Sequence, residues 1–261
     1  MAGPVLAAVA VLSAPATAAA AAAVPHMAHY AMRLLSARSG SGVEGVTGDM
    51  AVRWEADCSG WTMTHKSVFR ASYSGGQNVT LTAESTTWEA RDGARYNFHT
   101  RTLLNGQETE RLEGHATLGA RNEAVFAAPE PRVIPLPPEA IFPMRHTQAV
   151  LDAAERGTPI LAARLFDGFS FEGAVLVNAV LGPKQPGAQR PDAAFPALAR
   201  LPSWKVQLAF FEATQASEPK SEIGMRIYGN GVADGLVLDF GDFRVQADLK
   251  NLKVEPVPSC D

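Results

Sequence analysis

The sequence predicts a mainly β protein, a long antiparallel meander with one helix inserted near its middle. Three observations carry that reading: apolar and polar residues alternate with period two over many short segments, Asp-Gly and Asn-Gly pairs separate those segments, and a single stretch shows clear helical spacing.

Residues 29–35 have strand spacing, and Met50, Val52 and Trp54 alternate with Ala51, Arg53 and Glu55. Trp61, Met63 and His65 continue on one face into 68–73. Gly75-Gly76 then precedes strands at 79–83 and 86–90. Asp92-Gly93 and Asn105-Gly106 bound a strand at 95–103 and lead into another at 108–118. Residues 127–143 carry Pro129, Pro131, Pro135, Pro137, Pro138 and Pro143, a density that excludes a continuous helix or a central strand.

The helix is expected near 143–156. His146, Ala149, Val150, Ala153 and Ala154 recur at helical spacing, Pro143 suits the first turn, and Gly157 with Pro159 stops it. Strands resume at 160–166 and 174–181 around Asp167-Gly168. Residues 182–201, rich in Gly, Pro and Ala, read as a loop with a short helical turn near 193–198, long enough to point to a functional segment. Strands at 204–211, 221–228, 236–240 and 243–254 close the chain.

Composition excludes some function classes. Hydrophobic residues make up 46% and charged residues 19%, which supports a sizeable core and not a disordered chain. The 27 acidic and 23 basic residues are interspersed, so no basic cluster exists to neutralise nucleic-acid phosphates. Residues 1–24 read as a signal peptide or disordered leader: the apolar run 5–12 is too short to span a bilayer core of about 30 Å, and residues 16–23 supply Ala-x-Ala cleavage sites. Residues 25–261 are then one β domain, exported and not an integral membrane protein. Cys58 lies in an early strand region and Cys260 in a proline-bearing tail, where a thiol has no packing role. A disulfide formed in an oxidising compartment explains that position, against the alternative of two unrelated thiols.

Chemistry-bearing motifs are sparse. No His-Glu-x-x-His, Cys-x-x-Cys, phosphate-binding loop or nucleophile elbow occurs. His26 and His29 follow the leader and are expected to fray. His65, His99 and His115 lie on separate strands without an evident nucleophile partner. Glu108 and Glu110 describe a solvated face, and Asp239, Asp242 and Asp248 lack the calcium-loop order. No catalytic residue, metal or cofactor is expected. The aromatic residues are mostly core, with the alternative that Phe142, Phe166, Phe169, Phe211 and Tyr228 border an apolar cleft. The helix or the 182–201 loop would partly close that cleft over a hydrophobic ligand or a partner peptide.

Ordered motifs extend this reading. Pro25-His26-x-Ala28-x-Tyr30, Ala37-Arg38-Ser39-Gly40-Ser41-Gly42 and Gly45-Val46-x-Gly48-x-Met50 open the chain. Leu136-Pro137 with Phe142-Pro143-x-x-His146 and Phe166-Asp167-Gly168 mark its centre. Tyr228-x-Asn230-Gly231-Val232, Leu238-Asp239-Phe240-Gly241-Asp242-Phe243 and Cys260 close it. Together they resemble the alphaproteobacterial periplasmic cell envelope integrity protein family, the envelope integrity protein B-like proteins, with departures at Gly229 and Phe240. The resemblance implies a sheet coiled into an open, barrel-like β-spiral, a Cys58–Cys260 disulfide and a periplasmic location. It further implies a role in envelope integrity with no catalytic residues to carry over, and the first reading is a non-enzymatic factor that binds another envelope protein or assembly. A carrier or sensor of a lipid or other hydrophobic ligand is the second reading.

Overall fold

Tight turns at the expected dipeptides reverse the chain repeatedly and lay down one 15-stranded sheet. The computed structural model describes residues 21–187, 195–212 and 217–260. The strands are β1 (His26–Ala37), β2 (Val43–Ala56), β3 (Gly60–Tyr73), β4 (Asn78–Ala90), β5 (Arg95–Leu104), β6 (Gln107–Thr117) and β7 (Glu123–Ala128). In the proline-rich passage lie β8 (Arg132–Pro135) and β9 (Ala140–Ile141), followed by α1 (Pro143–Glu155). Then come β10 (Ile160–Leu165), β11 (Val175–Leu181), the short α2 (Pro196–Ala199), β12 (Ser203–Phe211), β13 (Ser221–Tyr228), β14 (Ala233–Asp239) and β15 (Phe243–Val254).

The β5–β6 turn shows how the local code works. Asn105 and Gly106 both adopt positive φ, 52° and 83°, the backbone a two-residue hairpin needs to match strand twist. The Asn105 side chain also accepts the Thr80 N–H at 2.8 Å, tying the turn to β4.

Strand order runs β8-β7-β6-β5-β4-β3-β2-β1-β15-β14-β13-β12-β11-β10-β9. Apart from β1 with β15, every neighbour is also a neighbour in sequence, and the pairings are antiparallel except β9 with β10. The two edge strands β8 and β9 are separated by only residues 136–139. The sheet therefore coils until its edges meet at the proline-rich passage, without hydrogen bonds joining them into a closed ladder. Proline is tolerated there because an edge strand has a free side.

Side chains fill the seam between those edges. Tyr96 and Phe98 of β5 and Phe126 of β7 pack with Phe142 and Phe166 from the far side of the seam, and all five are 2% exposed or less. Ring centroids lie 5.0 Å apart for Tyr96–Phe142 and 5.6 Å for Phe98–Phe166, in stacked and edge-to-face arrangements. Gly168 allows the closest approach: its φ is +75°, and a Cβ there would stand 2.6 Å from Phe98 Cγ.

The helices sit on the concave face. Val150, Leu151, Ala153 and Ala154 of α1 pack against the inner residues of β10 to β13, and Leu198 of α2 packs over β1, β2, β14 and β15. Among the described residues no helix is long and apolar enough to cross a membrane.

Three expectations shift. The strands expected at 79–83 and 86–90 are one strand, β4, whose inward Ser85 and Thr87 are buried polar residues that interrupt the apolar alternation. Residues 1–20 of the expected leader lie outside the described residues, as do 188–194 of the expected loop. Residues 21–24, placed in the leader, dock on the fold: Ala22 and Val24 donate their N–H groups to the Gly229 and Asn230 carbonyls, each at 3.0 Å. Small side chains permit this, since Ala23 lies flat against Gly231, where a Cβ would come within 2.9 Å.

Cys58, in the β2–β3 turn, is bonded to Cys260, with Cα atoms 5.5 Å apart. Its position has a topological meaning. At the start of β1, His26 is flanked by Trp54 of β2 and Val254 of β15, and the disulfide joins the segments just beyond those two strands. It thus brackets β1 at the one pairing that connects the two ends of the chain.

Candidate functional site

Two elements determine how α1 enters the concave interior. Its N-cap, Phe142, has no side chain able to cap, so the first free N–H groups need another acceptor. Glu89, on the inner face of β4, supplies it: its carboxylate accepts from Met144 N at 2.7 Å and from Arg145 N at 3.0 Å. Burial pushes the Glu89 carboxyl up to about 7, against the opposing pull of those two N–H groups and the Arg145 charge. Phe142 meanwhile belongs to the seam cluster, so the helix is anchored at its first turn by both a hydrogen bond and a ring stack.

One turn further, His146 faces inward and is 6% exposed. With Thr147 and Val150 it forms one wall of a partly open cavity of about 220 Å³ between α1, strands β1–β2 and strands β12–β14. The period-two inner residues of those strands, such as Met50, Val52, Leu208 and Ile227, make the cavity predominantly apolar. Tyr30 crosses its floor and donates its hydroxyl proton to the Ala233 carbonyl at 2.8 Å, so that polar tip is satisfied. Burial raises the Tyr30 pKa, with the Asp234 charge adding to it, and the phenol stays neutral.

The two histidines of the cavity differ from Tyr30. His26, stacked on Trp54 with centroids 6.5 Å apart, donates Nδ1–H to the Val24 carbonyl at 2.8 Å, which leaves the lone pair on Nε2. Burial lowers its pKa, against the raising effect of the Val24 bond. His146 is held down to about 4 by burial, and its buried Nε2 has no hydrogen-bond partner. Both rings are neutral at ordinary pH. The cavity thus offers an apolar volume with neutral imidazoles in its wall.

The residues singled out from sequence do not form one surface. Phe142 and Phe166 are together, but in the sealed seam cluster with no exposed area. Tyr228 is 2% exposed and packs in the core near β1. Phe169 is exposed in the β10–β11 connection and Phe211 is half-buried at the end of β12. The alternation of a strand shows which residues point inward but not which of them a helix will cover. A cleft beside α1 does exist, and its wall holds different residues.

His26 departs from the expected fraying: it is the first residue of β1, 5% exposed, because β2 and β15 cover it from both sides. His65 points inward with its pKa lowered by burial, while His99 points outward, 3.6 Å from Glu113, so the strand histidines do not converge. Glu108 pairs with Arg111 at 2.9 Å on the outer surface. Asp239 accepts the Gly241 N–H at 2.9 Å and pairs with Arg244, and Asp167 accepts the Phe169 N–H at 3.0 Å, as turn-forming aspartates do. His146 was legible as an inward helical residue; Glu89 left no sequence signal, since a carboxylate on a strand reads as solvated.

Comparison with known proteins matches residues 17–256 to the family model described as EipB-like. A curated relative, the "Cell envelope integrity protein EipB" of Brucella abortus (strain 2308), is 27% identical over 238 residues, covering 88% of this chain and 84% of its own. A crystal structure titled as a β-barrel-like protein of the domain of unknown function DUF1849, also from Brucella abortus, superposes with a TM-score of 0.84 at 25% identity. That match covers 91% of this chain and all of the other.

Proposed function

This chain belongs to the EipB-like family, and we propose that it is a non-enzymatic periplasmic factor that supports cell envelope integrity by binding another envelope component. The observation that carries the proposal is the match, along nearly the whole fold, to a relative named for envelope integrity. The bracketing disulfide and the sequence of residues 1–20 support export, because such a bond persists in oxidising compartments. Binding is favoured over catalysis by the roles of the buried titratable groups. Glu89 holds a helix end, His26 bonds a backbone carbonyl, and His146 Nε2 has no hydrogen-bonded partner among the described residues.

Deleting the gene in the source organism tests the envelope role. The deletion strain becomes more sensitive to detergents and cell-wall antibiotics, and the exported wild-type chain restores resistance. Unchanged sensitivity in the deletion strain refutes the proposal. Crosslinking in the periplasm followed by mass spectrometry identifies the bound component. The cavity against α1 favours a second reading, a carrier or sensor of a hydrophobic ligand, in which the bound component is a small molecule and not a protein.

A further inference from the structure

We propose that a signal peptidase cuts this chain no later than the Ala20–Ala21 bond, so that Ala21–Val24 stay in the mature protein as a strap locking α1 against the β13–β14 turn. The inference rests on the export reading and places the processing site within it.

The sequence leaves the cut open, because Ala-x-Ala triplets end at Ala16, Ala18, Ala20, Ala21, Ala22 and Ala23. The fold chooses among them. Ala21 is 6% exposed and packs in the cluster that joins α1 to β10–β13. The segment is hydrogen-bonded along both edges, as an inner strand is. On one side Ala22 and Val24 donate to the Gly229 and Asn230 carbonyls. On the other, the Gln148 carboxamide of α1 takes the place of a neighbouring strand. Its Nε2 donates to the Ala21 carbonyl at 3.0 Å and its Oε1 accepts from Ala23 N at 3.5 Å. Asp152 orients that carboxamide, accepting from Nε2 at 2.8 Å. The line runs on into β1, where the Pro25 carbonyl accepts from Glu255 N at 2.8 Å.

A leader that is removed has no packing role in the mature fold, and Ala21–Val24 have one. A cut after Ala21 removes the first Gln148 bond, and a cut after Ala22 removes the Gly229 bond as well. A cut after Ala23 leaves only Val24 attached. At the cut itself water adds across one peptide bond: the leader departs with a new carboxylate, and the mature chain begins with a new ammonium. Docking follows, and the docked strap, paired on both edges, resists further trimming at Ala21, Ala22 and Ala23.

The experiment produces the full-length chain in its source cells, isolates it from the periplasm and reads its N-terminus by sequencing and intact mass. The first residue is expected to be Ala21 or an earlier one. A first residue at Ala22 or beyond overturns the placement and leaves export standing. An uncut chain overturns the processing site, and its retention in the cytoplasm overturns the export reading as well. Two purified, disulfide-bonded chains, one beginning at Ala21 and one at Pro25, test the strap by thermal unfolding and by hydrogen exchange of the α1 amides. The shorter chain melts about 5 to 10 °C lower, from the loss of several hydrogen bonds, and its α1 amides exchange about ten-fold faster or more. Gln148→Ala gives part of that shift in the longer chain and little in the shorter one, since its strap partners are already gone. Equal melting temperatures and equal exchange in the two chains overturn the strap.

Discussion

Replacing Glu89 with glutamine isolates the energetic cost of ending a helix on a buried carboxylate. In the folded protein burial raises the Glu89 pKa from 4.5 to about 7. The folded state then binds more protons than the unfolded state between those values, so this group's contribution is fully present below pH 4.5 and is lost as pH rises through 7. The difference corresponds to about 3 kcal/mol. His146 acts in the opposite sense. Its pKa falls from 6.5 to about 4, so its contribution is present above pH 6.5 and is lost as pH falls toward 4, again by about 3 kcal/mol. His26 and His65, both lowered chiefly by burial, add to the histidine side. Over the overlapping range the Glu89 and His146 dependences run in opposite directions and offset each other. The glutamine side chain of the Glu89→Gln variant resembles protonated Glu89 at every pH: it keeps one acceptor for the Met144 or Arg145 N–H and carries no charge. Glu89→Gln is therefore near neutral at pH 4.5 and stabilising at pH 8 by up to about 3 kcal/mol. The variant's stability rises steeply with pH from 4 to 6.5. Urea unfolding followed by tryptophan fluorescence, at constant m-value, measures both quantities. A variant less stable than wild type at pH 8 shows that the helix N–H groups stabilise the carboxylate more than burial destabilises it, and refutes the reasoning.

Three further outcomes are expected. Reducing the Cys58–Cys260 bond, or replacing both residues with Ser, lowers stability by at most about 5 kcal/mol for a loop of 202 residues, and the oxidised chain is lighter by two hydrogens in intact mass. Gly168→Ala meets both a positive φ and the Phe98 ring, so it costs about 2 to 4 kcal/mol in urea unfolding, whereas the same change at Gly106, open to solvent, costs only the φ strain. Tyr30→Phe removes the bond to the Ala233 carbonyl and lowers stability by about 1 kcal/mol, and an unchanged urea midpoint would refute a role for that hydroxyl.

Much of the fold was legible because a meander is made of local decisions. Asp92-Gly93, Asn105-Gly106 and Gly241-Asp242 reverse the chain by backbone preferences that need no distant partner, and the bounds expected for β13 and β15 are those observed. Legibility failed where the inner face is polar. Ser67, Ser85, Thr87 and Thr100 are buried on the inner face of β3 to β5, so hydrophobicity no longer marks which side faces in, and β4 read as two strands. It failed again for Glu89 and for the cavity walls, because those roles are set by contacts between β4, β1 and α1, which are far apart in sequence.

The seam ties these observations together. A chain whose strands pair almost entirely with their sequence neighbours has two weak places: the pairing that joins its ends, and the line where its edges meet. The disulfide brackets the first, at β1 and β15. The second is closed by aromatic rings, and the chain leaves it directly into α1, so Phe142 is at once a seam residue and the helix N-cap. Opening the edges would displace Phe142, draw the first turn of α1 away from Glu89 and move His146 out of the cavity wall within the same turn. Movement at the seam therefore alters the binding volume directly, without any signal having to cross the sheet. Loosening of the seam, as Gly168→Ala produces, is expected to weaken occupation of the cavity even though Gly168 does not line it. Loosening of the disulfide, which lies beyond the start of β1, acts on His26 and Trp54 in the opposite wall.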